Sequence, residues 1–103
     1  MSFNVIQDQV GEYISIFTNG YFPPLSMLAR LTEELGELAR ALSHQEGFKK
    51  PKPGEGHESV EEELCDLLFV AVCLANQQGI DLDAAFDRAM AKYRERDAGR
   101  WKV

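Results

Sequence analysis

The amino-acid sequence predicts an all-α protein, a four-helix bundle, on three observations. Four segments repeat apolar side chains at amphipathic-helix spacing, no segment alternates apolar and polar residues long enough to form a strand, and glycine and proline gather between the segments. The chain of 103 residues is 45% hydrophobic, enough for one domain over residues 1–103 but for a core so small that homo-oligomerisation is expected to complete it.

The first helix is expected over Asn4–Thr18, where Val5, Ile6, Val10, Tyr13, Ile14 and Phe17 recur at helical spacing until Asn19-Gly20 stops them. Pro23-Pro24 opens the second, since proline is tolerated in a first turn. This helix, Leu25–His44, carries a stripe of Leu28, Leu31, Leu35, Leu38 and Leu42 that should face a core. Residues 45–58 bring together Gly47, Gly54, Gly56, Pro51 and Pro53 with Lys49, Lys50 and Lys52, which reads as a mobile basic loop. Ser59-Val-Glu-Glu62 is a capping box that starts the third helix, running to Gln78. From Leu64 to Ala75 every residue except Asp66 is apolar or cysteine, so this helix calls for cover on most of its surface, which a second copy would supply. Gly79 closes it, Asp81 caps the fourth, and Leu82, Ala85, Phe86, Ala89, Met90 and Tyr93 carry that helix to Asp97.

Composition excludes several classes. Seventeen acidic residues against eleven basic ones leave a net charge of -6, which argues against a nucleic-acid polymer as partner and leaves room for an anionic small molecule bridged by a cation. No apolar run approaches the roughly 20 residues of a membrane span, and Met1–Asp8 lacks the basic and apolar regions of a secretory signal, so a cytoplasmic protein is expected. Cys65 and Cys73 lie about 12 Å apart along one helix, too far for a mutual disulfide, and are expected as buried thiols.

The chemistry concentrates in two acidic pairs of equal spacing. Glu34 and Glu37 sit three apart on the second helix, and the leucine stripe turns Glu34 inward while Glu33 points to solvent. A lone pair of this kind is usually a solvated face. Glu63 and Asp66 repeat the spacing on the third helix, where Asp66, a poor helix former among Leu64, Leu67, Leu68, Phe69 and Val70, needs a partner. Antiparallel packing would bring the four acids together, and four carboxylates repel unless a cation neutralises them. Oxygen-only ligation suits Mg2+, with Mn2+ as a substitute, and such ions accept phosphate oxygens. A di-iron site is disfavoured, because neither His44 nor His57 has a glutamate three residues before it.

Glu34-Leu-Gly-Glu37, 25 intervening residues and Glu63-Leu-Cys-Asp66 resemble the paired-acid signature of the MazG-like all-α nucleoside triphosphate pyrophosphohydrolases. Tyr21-Phe-Pro-Pro-Leu, the surroundings of Glu34, Cys73-Leu-Ala-Asn and Arg96-Asp-Ala-Gly-Arg-Trp101 are similar to the short YpjD-type bacterial members, over nearly the whole chain. Cys65 departs from the glycine that many relatives carry. The resemblance implies that Glu34, Glu37, Glu63 and Asp66 bind magnesium. It also implies splitting of a nucleoside or deoxynucleoside triphosphate into the monophosphate and pyrophosphate, as nucleotide-pool housekeeping. Glu34 or Glu37 would orient or deprotonate the attacking water. Lys92 and Arg96 resemble the family's Lys-aromatic-x-x-Arg element and are candidate phosphate contacts, equally well explained by the dipole of a helix C-terminus. Lys49, Lys50 and Lys52 are a candidate lid, and Phe17, Tyr21 and Trp101 candidate base contacts, with a solvated loop and core or subunit packing the plainer explanations. The alternative from another class is a non-catalytic helical dimer that binds a nucleotide or a structural cation.

Overall fold

A computed structural model describes residues 2–48, 50, 52–53 and 59–100 of the chain. Four helices are present, α1 (Phe3–Ile14), α2 (Pro24–Gln45), α3 (Val60–Gln77) and α4 (Leu82–Asp97), with no strand among the described residues. The starts follow the expected chemistry. Ser59 Oγ accepts from Glu62 N at 3.0 Å, Asp81 Oδ1 accepts from Ala84 N at 3.2 Å, and Pro24 occupies the first turn of α2.

The end of α1 differs from the expectation. It stops at Ile14 rather than continuing to Thr18, because the turn tightens. Ser15 Oγ donates to Glu12 O at 2.6 Å, and Ile16 N and Phe17 N bond to carbonyls three residues back. Serine competing for a backbone carbonyl and the β-branched Ile14, Ile16 and Thr18 all weaken helix continuation. The chain then reverses at Gly20, whose φ of 63° suits glycine.

Packing centres on α2 and α3. Met27 shares a buried cluster with Val72 and Cys73, while Glu34, two turns further along α2, meets Glu63, earlier in α3; the two helices therefore run antiparallel. Val10 brings α1 into the same cluster, with Ile6 and Ile14 packed against it. A polar clamp joins these helices. Gln7 Nε2 donates to Asn76 Oδ1 at 2.9 Å and to Ile80 O at 2.7 Å, and Asn76 Nδ2 donates to Gln7 O and to the Tyr21 hydroxyl, both at 3.0 Å. Gln7 Oε1 in turn accepts from Leu82 N, tying the start of α4 to α1.

The fourth helix takes its own direction. Gly79, with φ 69°, closes α3, and α4 leaves at 109° to it. It packs chiefly on α1, with the Phe3 and Phe86 rings 5.2 Å apart and the Asp83 carboxylate accepting from Phe3 N and Asn4 N. The radius of gyration is 17.0 Å, against about 13 Å for a compact chain of this length. Within one chain α4 thus projects from the other helices.

The leucine stripe of α2 is divided. The buried residues are Met27, Glu34 and Ala41, seven apart, whereas Leu28, Leu35 and Leu42 remain 52%, 56% and 45% exposed. One residue is about 100° of rotation, which is enough to move a seven-residue repeat off the α3 contact. On α3, Leu64, Leu68 and Phe69 are exposed as well. The cover expected over α3 is therefore incomplete in a single chain. No single helix among the described residues is long and apolar enough to cross a membrane.

Candidate active site

Three of the four predicted acids converge. Glu34, Glu37 and Glu63 each offer a carboxylate oxygen, and these oxygens lie within 4.8 Å of one another. Glu34 and Glu63 are 8% and 2% exposed, and Oε2 of each is buried without a hydrogen-bond partner. Such orphaned acceptors are uncommon and call for an explanation. Glu37 is less covered than either, while Glu33 faces solvent, as the helix geometry anticipates.

The donor set fits a small hard cation. Three carboxylate oxygens within 4.8 Å of one another would need only side-chain rotation to close on one such ion. Their chemistry, oxygen only and anionic, is that of a magnesium or manganese site. Asp66 stands outside the group of three, exposed and one turn further along α3. Its apolar neighbours Leu64, Leu68 and Phe69 are themselves uncovered, which is why aspartate is tolerated there without burial.

One cation already touches the cluster. Arg30, one turn before Glu34 on α2, donates from Nη2 to Glu34 Oε1 at 3.3 Å, with its side chain half exposed. It also lines a cavity of about 510 Å³ shared by Tyr13, Phe17, Tyr21, Phe69 and Cys73. Tyr13 makes edge contacts with Phe17, at 5.2 Å between centroids, and with Phe69, at 6.1 Å. The candidate base contacts Phe17 and Tyr21 are therefore neighbours, and the cavity is joined to the acids through Arg30. Sequence reasoning missed Arg30, Tyr13 and Phe69. Four-residue spacing from Glu34 was the available signal for Arg30; Phe69 was hidden within an unbroken apolar run.

The basic candidates are elsewhere. Lys92 and Arg96 are exposed on α4 and flank the Tyr93 ring at 5.2 and 5.1 Å, and Arg96 holds Asp97 through two hydrogen bonds that raise the guanidinium pKa. Glu63 lies roughly 20 Å before the end of α3, and Lys92 roughly 15 Å along a helix that diverges from it. A single chain therefore keeps these cations well away from the acids. Lys50 and Lys52 are exposed, whereas Lys49, His57 and Trp101 lie outside the described residues. His44 sits in the last turn of α2, where a cation is expected. Cys65 is exposed, which corrects the expectation of two buried thiols; Cys73 is buried, and desolvation pushes its thiol pKa up.

The candidate site is thus an antiparallel helix pair that buries facing glutamates with open oxygens. Residues 22–101 match the MazG nucleotide pyrophosphohydrolase domain, and the chain belongs to that family. It is 55% identical over 96 residues to the uncharacterized protein YpjD of Bacillus subtilis (strain 168), covering 93% of this chain and 86% of that protein. The crystal structure of Bacillus subtilis YpjD superposes with a TM-score of 0.80 at 53% identity, covering 90% of this chain and 95% of that one. A Bacillus-conserved MazG protein, a nucleotide pyrophosphohydrolase, gives a TM-score of 0.78 at 45% identity, with 90% of each chain covered. The chain is accordingly a nucleotide pyrophosphohydrolase, an enzyme.

Proposed function

We propose that the enzyme hydrolyses a nucleoside or deoxynucleoside triphosphate to the monophosphate and pyrophosphate, with Mg2+ as its cofactor and Mn2+ as a substitute. The observation that carries this reading is the buried pair Glu34 and Glu63, each with an oxygen left open toward the cluster. Glu34, Glu37 and Glu63 would hold the cation, and Asp66, exposed one turn along α3, would join them by rotating its side chain. Bound there, magnesium supplies charge neutralisation for the phosphates and a favourable setting for attack by water. Glu37, the least covered of the three, takes the proton from that water, while Glu34 keeps its place at the buried side of the cluster.

The nucleobase stacks in the aromatic cavity on Phe17 and Tyr21, with Trp101 a further candidate. Phosphate contacts come from Lys92 and Arg96, and Lys49, Lys50 and Lys52 act as a lid. Since α4 turns its basic end away from its own acids, a second copy delivers it, and the protein works as a homodimer or tetramer. The open leucines of α2 and the exposed Leu64 and Leu68 of α3 provide the apolar contact. In this reading residues 1–103 form one domain acting on the cytoplasmic nucleotide pool, without a nucleic-acid polymer or membrane as partner.

A panel of canonical, deoxy and damaged nucleoside triphosphates, assayed for pyrophosphate release with and without Mg2+, tests the proposal. Turnover should require the cation and fall at least about 100-fold in Glu37→Gln and Asp66→Asn, the scale of losing a general base or a ligand. Unchanged turnover in both variants would refute the assignment.

A further inference from the structure

Arg30 belongs to two places at once. Its guanidinium holds Oε1 of Glu34 at 3.3 Å, and the same side chain lines the aromatic cavity beside the cluster. Glu34 is a candidate cation ligand whose other oxygen is buried and unpartnered. An arginine four residues before a glutamate is usually a weak helix-surface pair. Here the glutamate is buried and the arginine half exposed, so the arginine is free to leave while the acid stays.

We propose that Arg30 is an exchangeable counterion: it neutralises Glu34 before the cation binds, and the cation's arrival releases it to the phosphates of the nucleotide in the adjoining cavity. This rests on the function proposed above and assigns Arg30 a positioning and binding role within it. The exchange conserves charge pairing. A divalent ion among Glu34, Glu37 and Glu63 repels the guanidinium from Oε1, and the incoming triphosphate supplies new acceptors in the fork geometry that arginine favours. Metal and nucleotide are thereby coupled. Arg30 competes with the first and assists the second, so each ligand binds better when both are present.

Two measurements on the native protein, Arg30→Gln and Arg30→Lys separate this from a surface ion pair. The first is Mn2+ binding without nucleotide, followed by electron paramagnetic resonance of the free ion. Arg30→Gln should bind Mn2+ about two- to fivefold more tightly, the scale of removing one competing ion pair. The second is calorimetric binding of an α,β-methylene triphosphate with Mg2+ present. Arg30→Gln should weaken it about tenfold or more, the scale of one charge-assisted hydrogen bond, with Arg30→Lys intermediate. Unchanged or weaker Mn2+ binding in Arg30→Gln, or unchanged binding of the analogue, overturns the exchange and leaves the metal reading standing. If the native protein binds no Mn2+, the metal reading fails and takes this inference with it.

Discussion

Replacing Glu63 with methionine should stabilise the metal-free protein while destroying its function. Glu63 is 2% exposed, its Oε2 has no hydrogen-bond partner, and carboxylate oxygens of Glu34 and Glu37 lie within 4.8 Å. An unsatisfied buried acceptor costs about 1–3 kcal/mol. Repulsion between ionised carboxylates at that separation adds up to about 3 kcal/mol at an effective dielectric constant of 20. Methionine keeps the unbranched shape and the helix preference and removes both penalties. In chelator, Glu63→Met should therefore be more stable than the native protein by about 1–6 kcal/mol. For a domain of this size, each kcal/mol is worth roughly 4–8 °C in Tm. With Mg2+ or Mn2+ at about 100 times its Kd that advantage should shrink by about 2.7 kcal/mol, because the native protein gains this much and the variant gains nothing. Calorimetric melts in the two buffers make the comparison. A variant that melts below the native protein in chelator would refute the reasoning, since it would show Glu63 to be stabilised by contacts rather than held in wait for a cation.

Three further outcomes follow from particular contacts. Asn76→Ala removes three hydrogen bonds, to the Gln7 side chain, the Gln7 carbonyl and the Tyr21 hydroxyl, and should cost about 1.5–4 kcal/mol in a urea melt. Asp81 has its pKa lowered, first by the Asn4 side chain and then by the Ala84 amide, so its charge stabilises the fold above the ordinary value of 3.8 and that contribution is lost as the pH falls through the lower folded value. Asp81→Asn should thus be less stable than the native protein at neutral pH, with the gap between their urea midpoints closing in acid. Leu35→Arg places a charge on the open face of α2; if the proposed self-association holds, sedimentation should give a dimer or larger for the native protein and a monomer for the variant, with turnover falling alongside.

Much of the site was legible because it depends on helical phase. The position of Leu38 turns Glu34 inward and Glu33 outward, and the structure keeps that order. The third helix announced itself by Ser59 and was closed by Gly79, both acting through local backbone chemistry. What escaped is set between helices. A continuous leucine stripe does not say which of its edges meets α3, and a rotation of one residue separates buried Met27 and Ala41 from open Leu28 and Leu42. The direction of α4 depends on the turn at Gly79–Asp81 and on the Asp83 bond to α1, neither of which leaves a periodic signal. The exposure of Asp66 could not be read either, because its apolar neighbours are covered only if another surface comes to them.

The Asp83 bond also sets an order of events in the making of the protein. The first amides of α1, Phe3 N and Asn4 N, are received by a carboxylate 80 and 79 positions later in the chain. During synthesis the first helix therefore leaves the ribosome long before the group that holds its leading turn exists. A helix of 12 residues is marginal alone in water, so α1 must wait, largely unformed, through the synthesis of α2 and α3. A chain interrupted before Asp83 would carry an unfastened first segment with Val5, Ile6 and Val10 open to other contacts, and would be a natural target for chaperones and proteases.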